Sequence, residues 1–194
     1  MLEFNELCFG YDDNYLLENV SIKIEGNKIG LVGKNGVGKT TVLNLISGRI
    51  APKKGEIHIL GSSYFTIYDF NKYNKLTIED FLMLVKPLKS FNNEKIDYYI
   101  ELLNLKDYLG YAIGSLSKGT QKKIGILLTF LSNRQVLLID EPFESIDKET
   151  NDNIIKELSK LDKQYIIVSH DIEYLKKSTE KIYEIRDKGL IEYD

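Results

Sequence analysis

The chain has 194 residues, 43% hydrophobic and 28% charged, with 26 Lys and Arg against 29 Asp and Glu and a formal net charge of -3. That length suits one packed domain rather than two. The charge balance offers no electrostatic case for nucleic acid or anionic lipid as the main partner, so Lys53-Lys54 and Lys122-Lys123 read as solvated faces. The single cysteine, Cys8, excludes an internal disulfide and reads as a packed strand residue.

In chain order, "LEFNELCF" and "ENVSIKI" alternate as strands do. "KIGLV" predicts a buried strand that runs into a glycine-rich loop and a helix, "KTTVLNLIS", closed by Gly48. "PKKGEIHIL" is a turn feeding a further strand. Residues from about 76 to 135 read mostly as helix. "VLLID" and "YIIVS" are short apolar runs of the kind a parallel sheet buries on both faces, with a helix, "KETNDNIIKELSKL", between them. The last segment, "KIYEIRDKGLIEY", predicts a hairpin turning at Asp187-Lys188-Gly189. The expected architecture is an α/β fold: a mainly parallel sheet, an N-terminal antiparallel β subdomain and an inserted helical subdomain at about 76–135, all in one domain over 1–194. The apolar runs "IGILLTFL" and "FLMLV" fall short of the roughly 20 residues of a spanning helix. No basic region followed by an apolar core marks a signal peptide. If membranes matter, another chain is expected to cross them.

"GKNGVGKTT" matches the strand–loop–helix pattern of a phosphate-binding loop. Gly33, Gly36 and Gly38 let backbone N–H groups turn inward, and the intervening Lys34, Asn35 and Val37 belong to the same loop. Lys39 reaches the terminal phosphates, the Thr40 hydroxyl suits Mg²⁺, and Thr41 follows at the positive end of the helix. The apolar strand "QVLLID" delivers Asp140 to the C-terminal edge of the sheet, where ligands of such sheets sit. Asp140 is a Mg²⁺ ligand candidate and Glu141, next in line, a candidate to polarise an attacking water. The fold class is therefore that of a P-loop NTPase.

"LSKGTQKK", shortly before the Asp140 strand, decides among the phosphate-loop classes. With the other two motifs it resembles the signature of ABC-type ATPases, usually Leu-Ser-Gly-Gly-Gln, with Lys118 and Thr120 substituted and Ser117 and Gly119 kept. The resemblance covers nearly the whole chain. It implies that Ser117 and Gly119 complete, in trans, the ATP site of a second subunit. It implies that Tyr11 stacks on adenine, that Asp147 in "ESID" lies on a loop crossing the dimer interface, and that His170 hydrogen-bonds the γ-phosphate and helps position water. A GTP switch would need an Asn-Lys-x-Asp element, and a small kinase an Arg-rich lid; the chain has neither, with no arginine between Gly61 and Asn133.

The resemblance implies the ATP-binding, ATP-hydrolysing subunit of an ABC transporter, with ATP and Mg²⁺ as cofactors. Two copies would sandwich ATP and drive a separate membrane-spanning subunit from the cytoplasmic, inner face of the membrane. By family analogy, the short helical insert and the lysine-bearing signature point to an exporter-type or antibiotic-resistance subunit. The rivals are a soluble ABC ATPase that serves assembly or remodelling of another complex, and a regulatory module with weakened catalysis, which Glu141 and His170 together oppose. One departure stands out: "SSYFTIYDFNKYNKLTIEDF" lacks the glutamine that usually joins core and helical subdomain, and Tyr68 or Asp69 falls nearest its place. The aromatic run there is either a docking groove or internal packing, the latter favoured.

Overall fold

The computed structural model describes residues 2–12 and 14–193; Met1, Asp13 and Asp194 lie outside the described residues. The chain groups into two units, residues 1–65, 135–141 and 162–194 in the first, 66–134 and 142–161 in the second.

In the first unit, β1 (Leu2–Tyr11), β2 (Asn14–Ile24) and β4 (Lys54–Ile59) form an antiparallel sheet in the order β2-β1-β4. A six-stranded sheet holds β5 (Ser63–Phe65), β6 (Val136–Asp140), β7 (Gln164–Val168), β3 (Lys28–Val32), β8 (Lys181–Arg186) and β9 (Gly189–Glu192), in that spatial order. Every pair in it is parallel except the β8–β9 hairpin. The central strands are buried nearly throughout, as continuous apolar runs require. Phe4, Leu7 and Leu17 of the antiparallel sheet, Leu43 of α1 (Lys39–Ile46), and Leu138 and Val168 of the parallel sheet share one core.

Strand register sets the site. Val168 pairs with Leu31 on one side and with Asp140 on the other, so β3, β7 and β6 end level at one edge. The chain beyond each end carries the glycine-rich loop, His170 and Glu141. Two elements lie outside the sequence expectations. β5 is three residues long, too short for a pattern, and exists through its pairing with β6. α6 (Ile172–Ser178) starts where the Asp171 carboxylate accepts from the Tyr174 N–H.

The second unit is helical: α2 (Ile78–Val85), α3 (Ile96–Leu102), α4 (Lys118–Leu131) and α5 (Lys148–Lys160). Ile124 to Leu131 of α4 are all buried, which accounts for the apolar run "IGILLTFL" as the centre of a small core. No helix among the described residues is long and apolar enough to cross a membrane. Glu157 of α5, 4% exposed, accepts from the hydroxyls of Tyr98 (2.8 Å) and Tyr99 (3.2 Å) of α3, so a buried carboxylate ties two helices.

The aromatic run packs largely inward. Phe70 is buried edge-on to Phe81, with ring centroids 5.5 Å apart, and Tyr73 lies 5.0 Å from the same ring. Tyr68 is half-buried against α4 at Gly125, where an added methyl would meet its ring at 2.6 Å. Asp69 is exposed, and its carboxylate accepts from the Asn71 N–H. The Lys122-Lys123 pair is not a solvated face: both side chains are 12% exposed, and each makes an ion pair. Charge count alone misses this, because the carboxylates that recruit them, Glu144 and Asp147, lie more than 20 residues away.

Candidate functional site

β3 delivers the loop from Gly33, and α1 starts at Lys39 with Gly38 as its N-cap. No side chain caps this helix, so its first N–H groups are not consumed locally, the arrangement that favours an anion. Gly38 has φ +101°, a left-handed conformation that L side chains rarely adopt, so the position favours glycine by conformation. Lys39 is 8% exposed. Its Nζ donates to the carbonyls of Gly33 (3.1 Å) and Lys34 (3.4 Å). The ammonium is thus curled inside its own loop and held by neutral acceptors. A phosphate oxygen is the stronger partner and would displace them.

One residue on, the Thr40 hydroxyl donates to Asp140 Oδ2 at 2.6 Å, joining α1 to the end of β6. A hydroxyl and a carboxylate are hard oxygen donors, which fits Mg²⁺ with phosphate and water completing its shell. No group of three or more His, Cys, Asp or Glu that could hold a metal occurs among the described residues. Glu141 has φ +47°, the left-handed region, and its N–H donates to Val168 O at 2.8 Å. A non-glycine residue held this way costs about 1–2 kcal/mol. The turn aims its carboxylate at His170: Oε2 accepts from the His170 backbone N–H at 3.2 Å and lies 2.9 Å from Nδ1.

Beside the loop is a cavity of about 450 Å³, lined by Tyr11, Asn14, Tyr15, Leu16, the Gly36–Gly38 stretch, Thr41 and the residues of the β8–β9 turn. Tyr11 is 65% exposed and meets Phe9 edge-on, with ring centroids 5.4 Å apart. The Lys53 ammonium donates to Asp12 O and lies 5.3 Å from the Tyr15 ring centroid, bracing the chain next to Tyr11. The first unit therefore gathers Tyr11, Gly33 to Thr41, Asp140, Glu141 and His170. Tyr15, Leu16 and the β8–β9 turn are wall residues that sequence reading missed; nothing in their local pattern marks them.

Ser117, Gly119 and Asp147 lie in the second unit. Ser117 is the N-cap of α4: its Oγ accepts from the Thr120 N–H at 3.1 Å. Gly119 is buried, and a Cβ there would stand 2.1 Å from Ser145 O, so the helix start and the "ESID" loop approach as closely as backbones allow. Asp147 caps α5, accepting from the N–H and hydroxyl of Thr150 at 2.8 Å each and from Lys123 Nζ at 2.8 Å. The Lys123 hydrogen bond, aided by Thr150, holds its carboxyl well below the usual range. Thr150 and Lys123 are further residues that the motifs did not flag.

The family model described as "ABC transporter" matches residues 17–144. The "Probable ABC transporter ATP-binding protein p29" of Mycoplasma pneumoniae is 30% identical, over 98% of this chain and 91% of that protein. The "Zinc uptake system ATP-binding protein ZurA" of Listeria innocua is 29% identical, over 89% of this chain and 77% of that protein. Among solved structures, an ATP-binding cassette in a dimeric post-hydrolysis state bound to ADP and Pi superposes with a TM-score of 0.80 at 23% identity. That superposition covers 100% of this chain and 98% of that one.

Proposed function

This chain belongs to the ABC transporter family, as an ATP-binding and ATP-hydrolysing subunit, and we propose that the residues gathered at the β3, β6 and β7 ends are its ATP site. The observation that carries this reading is the Thr40–Asp140 contact at 2.6 Å beside the enclosed Lys39 and the Glu141–His170 pair. In it, 194 residues form one ATP-binding domain with a helical insert.

The residues divide the work. The loop from Gly33 to Thr41 wraps the phosphates, with Lys39 countering the charge on the β and γ groups. Tyr11 stacks on the base. Thr40 and Asp140 would hold Mg²⁺, which would supply positive charge to offset that of the phosphates. Glu141 polarises water toward the γ-phosphorus and accepts its proton as the bond to the β–γ bridging oxygen breaks and ADP leaves. His170 orients the γ-phosphate and that water. Ser117, Gly119 and Asp147 serve the site of a second copy, so ATP acts as glue between two chains and hydrolysis releases them.

The same reading extends to a separate membrane-spanning subunit, and so to a position on the inner face of the membrane. The Listeria relative, named for zinc uptake, does not support the exporter-type expectation and favours import. The test is ATP hydrolysis by the purified chain and by Lys39→Ala. The variant is expected to lose turnover and most ATP affinity, because it loses the ammonium held inside the loop. Near-normal turnover in Lys39→Ala removes the site.

A further inference from the structure

The turn between β8 and β9 is held where it is by specific contacts. Asp187 and Lys188 both adopt left-handed φ, 51° and 60°, as a two-residue hairpin turn with matching twist requires. The Glu18 N–H donates to Lys188 O at 2.9 Å, and Lys188 Nζ meets Glu18 Oε2 at 2.7 Å, so the turn is fastened to β2 by backbone and by charge. The fastening keeps Arg186, Asp187 and Lys188 in the wall of the cavity that also holds Tyr11 and Gly36–Gly38.

We propose that Arg186 reads the nucleotide base, its guanidinium plane lying on the purine in the cavity that Tyr11 shares. The inference rests on the ATP-site reading above and adds a second recognition residue to it. Three observations carry it. First, the cavity beside the phosphate-binding loop is partly apolar, through Leu16, Val37 and Ile185, which suits a flat base. Second, a carboxylate meets the edge of the guanidinium: Nη1 donates to Glu184 Oε2 at 3.4 Å, and Asp187 Oδ2 lies 3.5 Å from Nε as an ion pair. Stacking uses the face of the group, so these contacts orient it without competing. Third, the turn sets two cations, Arg186 and Lys188, among three carboxylates, Glu18, Glu184 and Asp187. Such a cluster has no surplus charge to attract a triphosphate, so Arg186 acts on the base and not on the phosphates.

The experiment compares binding of ATP with binding of inorganic tripolyphosphate, which has the phosphates and lacks the base, by calorimetry. Arg186→Ala is expected to weaken ATP binding about fivefold and leave tripolyphosphate unchanged. Arg186→Lys keeps the charge and loses the plane, so it is expected to behave as the alanine variant does. The Arg186 side chain is 58% exposed, so folding is expected to survive, and thermal melts of both variants check this. Unchanged ATP affinity in Arg186→Ala overturns the proposal. So does an equal loss for ATP and tripolyphosphate, and so does full rescue by lysine. Lys39→Ala separates the two levels: it should weaken both ligands. If it weakens neither, the ATP-site reading fails; if it weakens both while Arg186→Ala changes nothing, only the base-reading role fails.

Discussion

Oε2 of Glu141 lies 2.9 Å from Nδ1 of His170 and 3.2 Å from that residue's backbone nitrogen. An ionised carboxylate only accepts, so the ring proton of this contact sits on Nδ1. In the neutral ring Nε2 is then an acceptor. The contact fixes the His170 ring against the Glu141 carboxylate and couples the placement of the two side chains.

Glu141→Gln should bind ATP and hydrolyse it about 10²–10⁴-fold more slowly, since the amide keeps the shape and loses the base. With Mg-ATP the variant should elute as a dimer on size exclusion, because the glue is no longer consumed. His170→Ala should lower kcat with little change in KM, as loss of a contact made in the transition state does. A risen KM at unchanged kcat would mean that His170 only binds.

The Thr40–Asp140 contact predicts a metal phenotype. Asp140→Asn should raise the Mg²⁺ concentration needed for half-maximal turnover about tenfold or more, with Thr40→Ala acting in the same direction. A Mg²⁺ titration of ATPase rate decides it, and an unmoved midpoint in both variants counts against these ligands.

Chains carrying Ser117→Arg, mixed with Lys39→Ala chains, test whether the signature serves the other subunit. In the heterodimer one site has both lesions and the other has neither. Recovered turnover above that of each variant alone is expected. If Ser117 serves its own chain's site, no site in the heterodimer is whole and nothing recovers. Interface crosslinking should first show that heterodimers form. Because Ser117 also caps α4, Ser117→Arg is expected to lose about 1 kcal/mol of stability, so melting curves must accompany the assay.

Asp147 predicts an acid-dependent stability term. Its carboxyl is held below the ordinary range by Lys123 and Thr150. A depressed folded-state value means stability that is present above the unfolded value, about 3.9, and is lost as pH falls toward the folded one. Asp147→Asn keeps the helix cap and removes the charge. Its Tm should lie slightly below that of the parent at pH 7, a modest gap for a half-exposed pair, and the gap should close as pH drops below about 4. A gap that is constant down to pH 3 would refute the ion-pair account.

The sequence by itself determined the phosphate loop, the Asp140-Glu141 strand end and the α/β core. Each is a local pattern: glycines and a lysine at fixed spacing, or an apolar run long enough to be a buried strand. Tyr11 and His170 were singled out only through their order relative to those motifs. Tertiary structure alone decided what lies opposite what. The levelling of three strand ends comes from register across β3, β7 and β6, which no window of sequence contains. The wall around Arg186 joins Tyr11 and Tyr15 with Gly36–Gly38, Thr41 and the β8–β9 turn. Lys122 and Lys123 became buried ion-pair partners because Glu144 and Asp147 return to them in the fold. A side chain's type states what it offers chemically, but its partner is set by packing between segments far apart in the chain. Periodicity carries the first kind of information, and only the folded backbone carries the second.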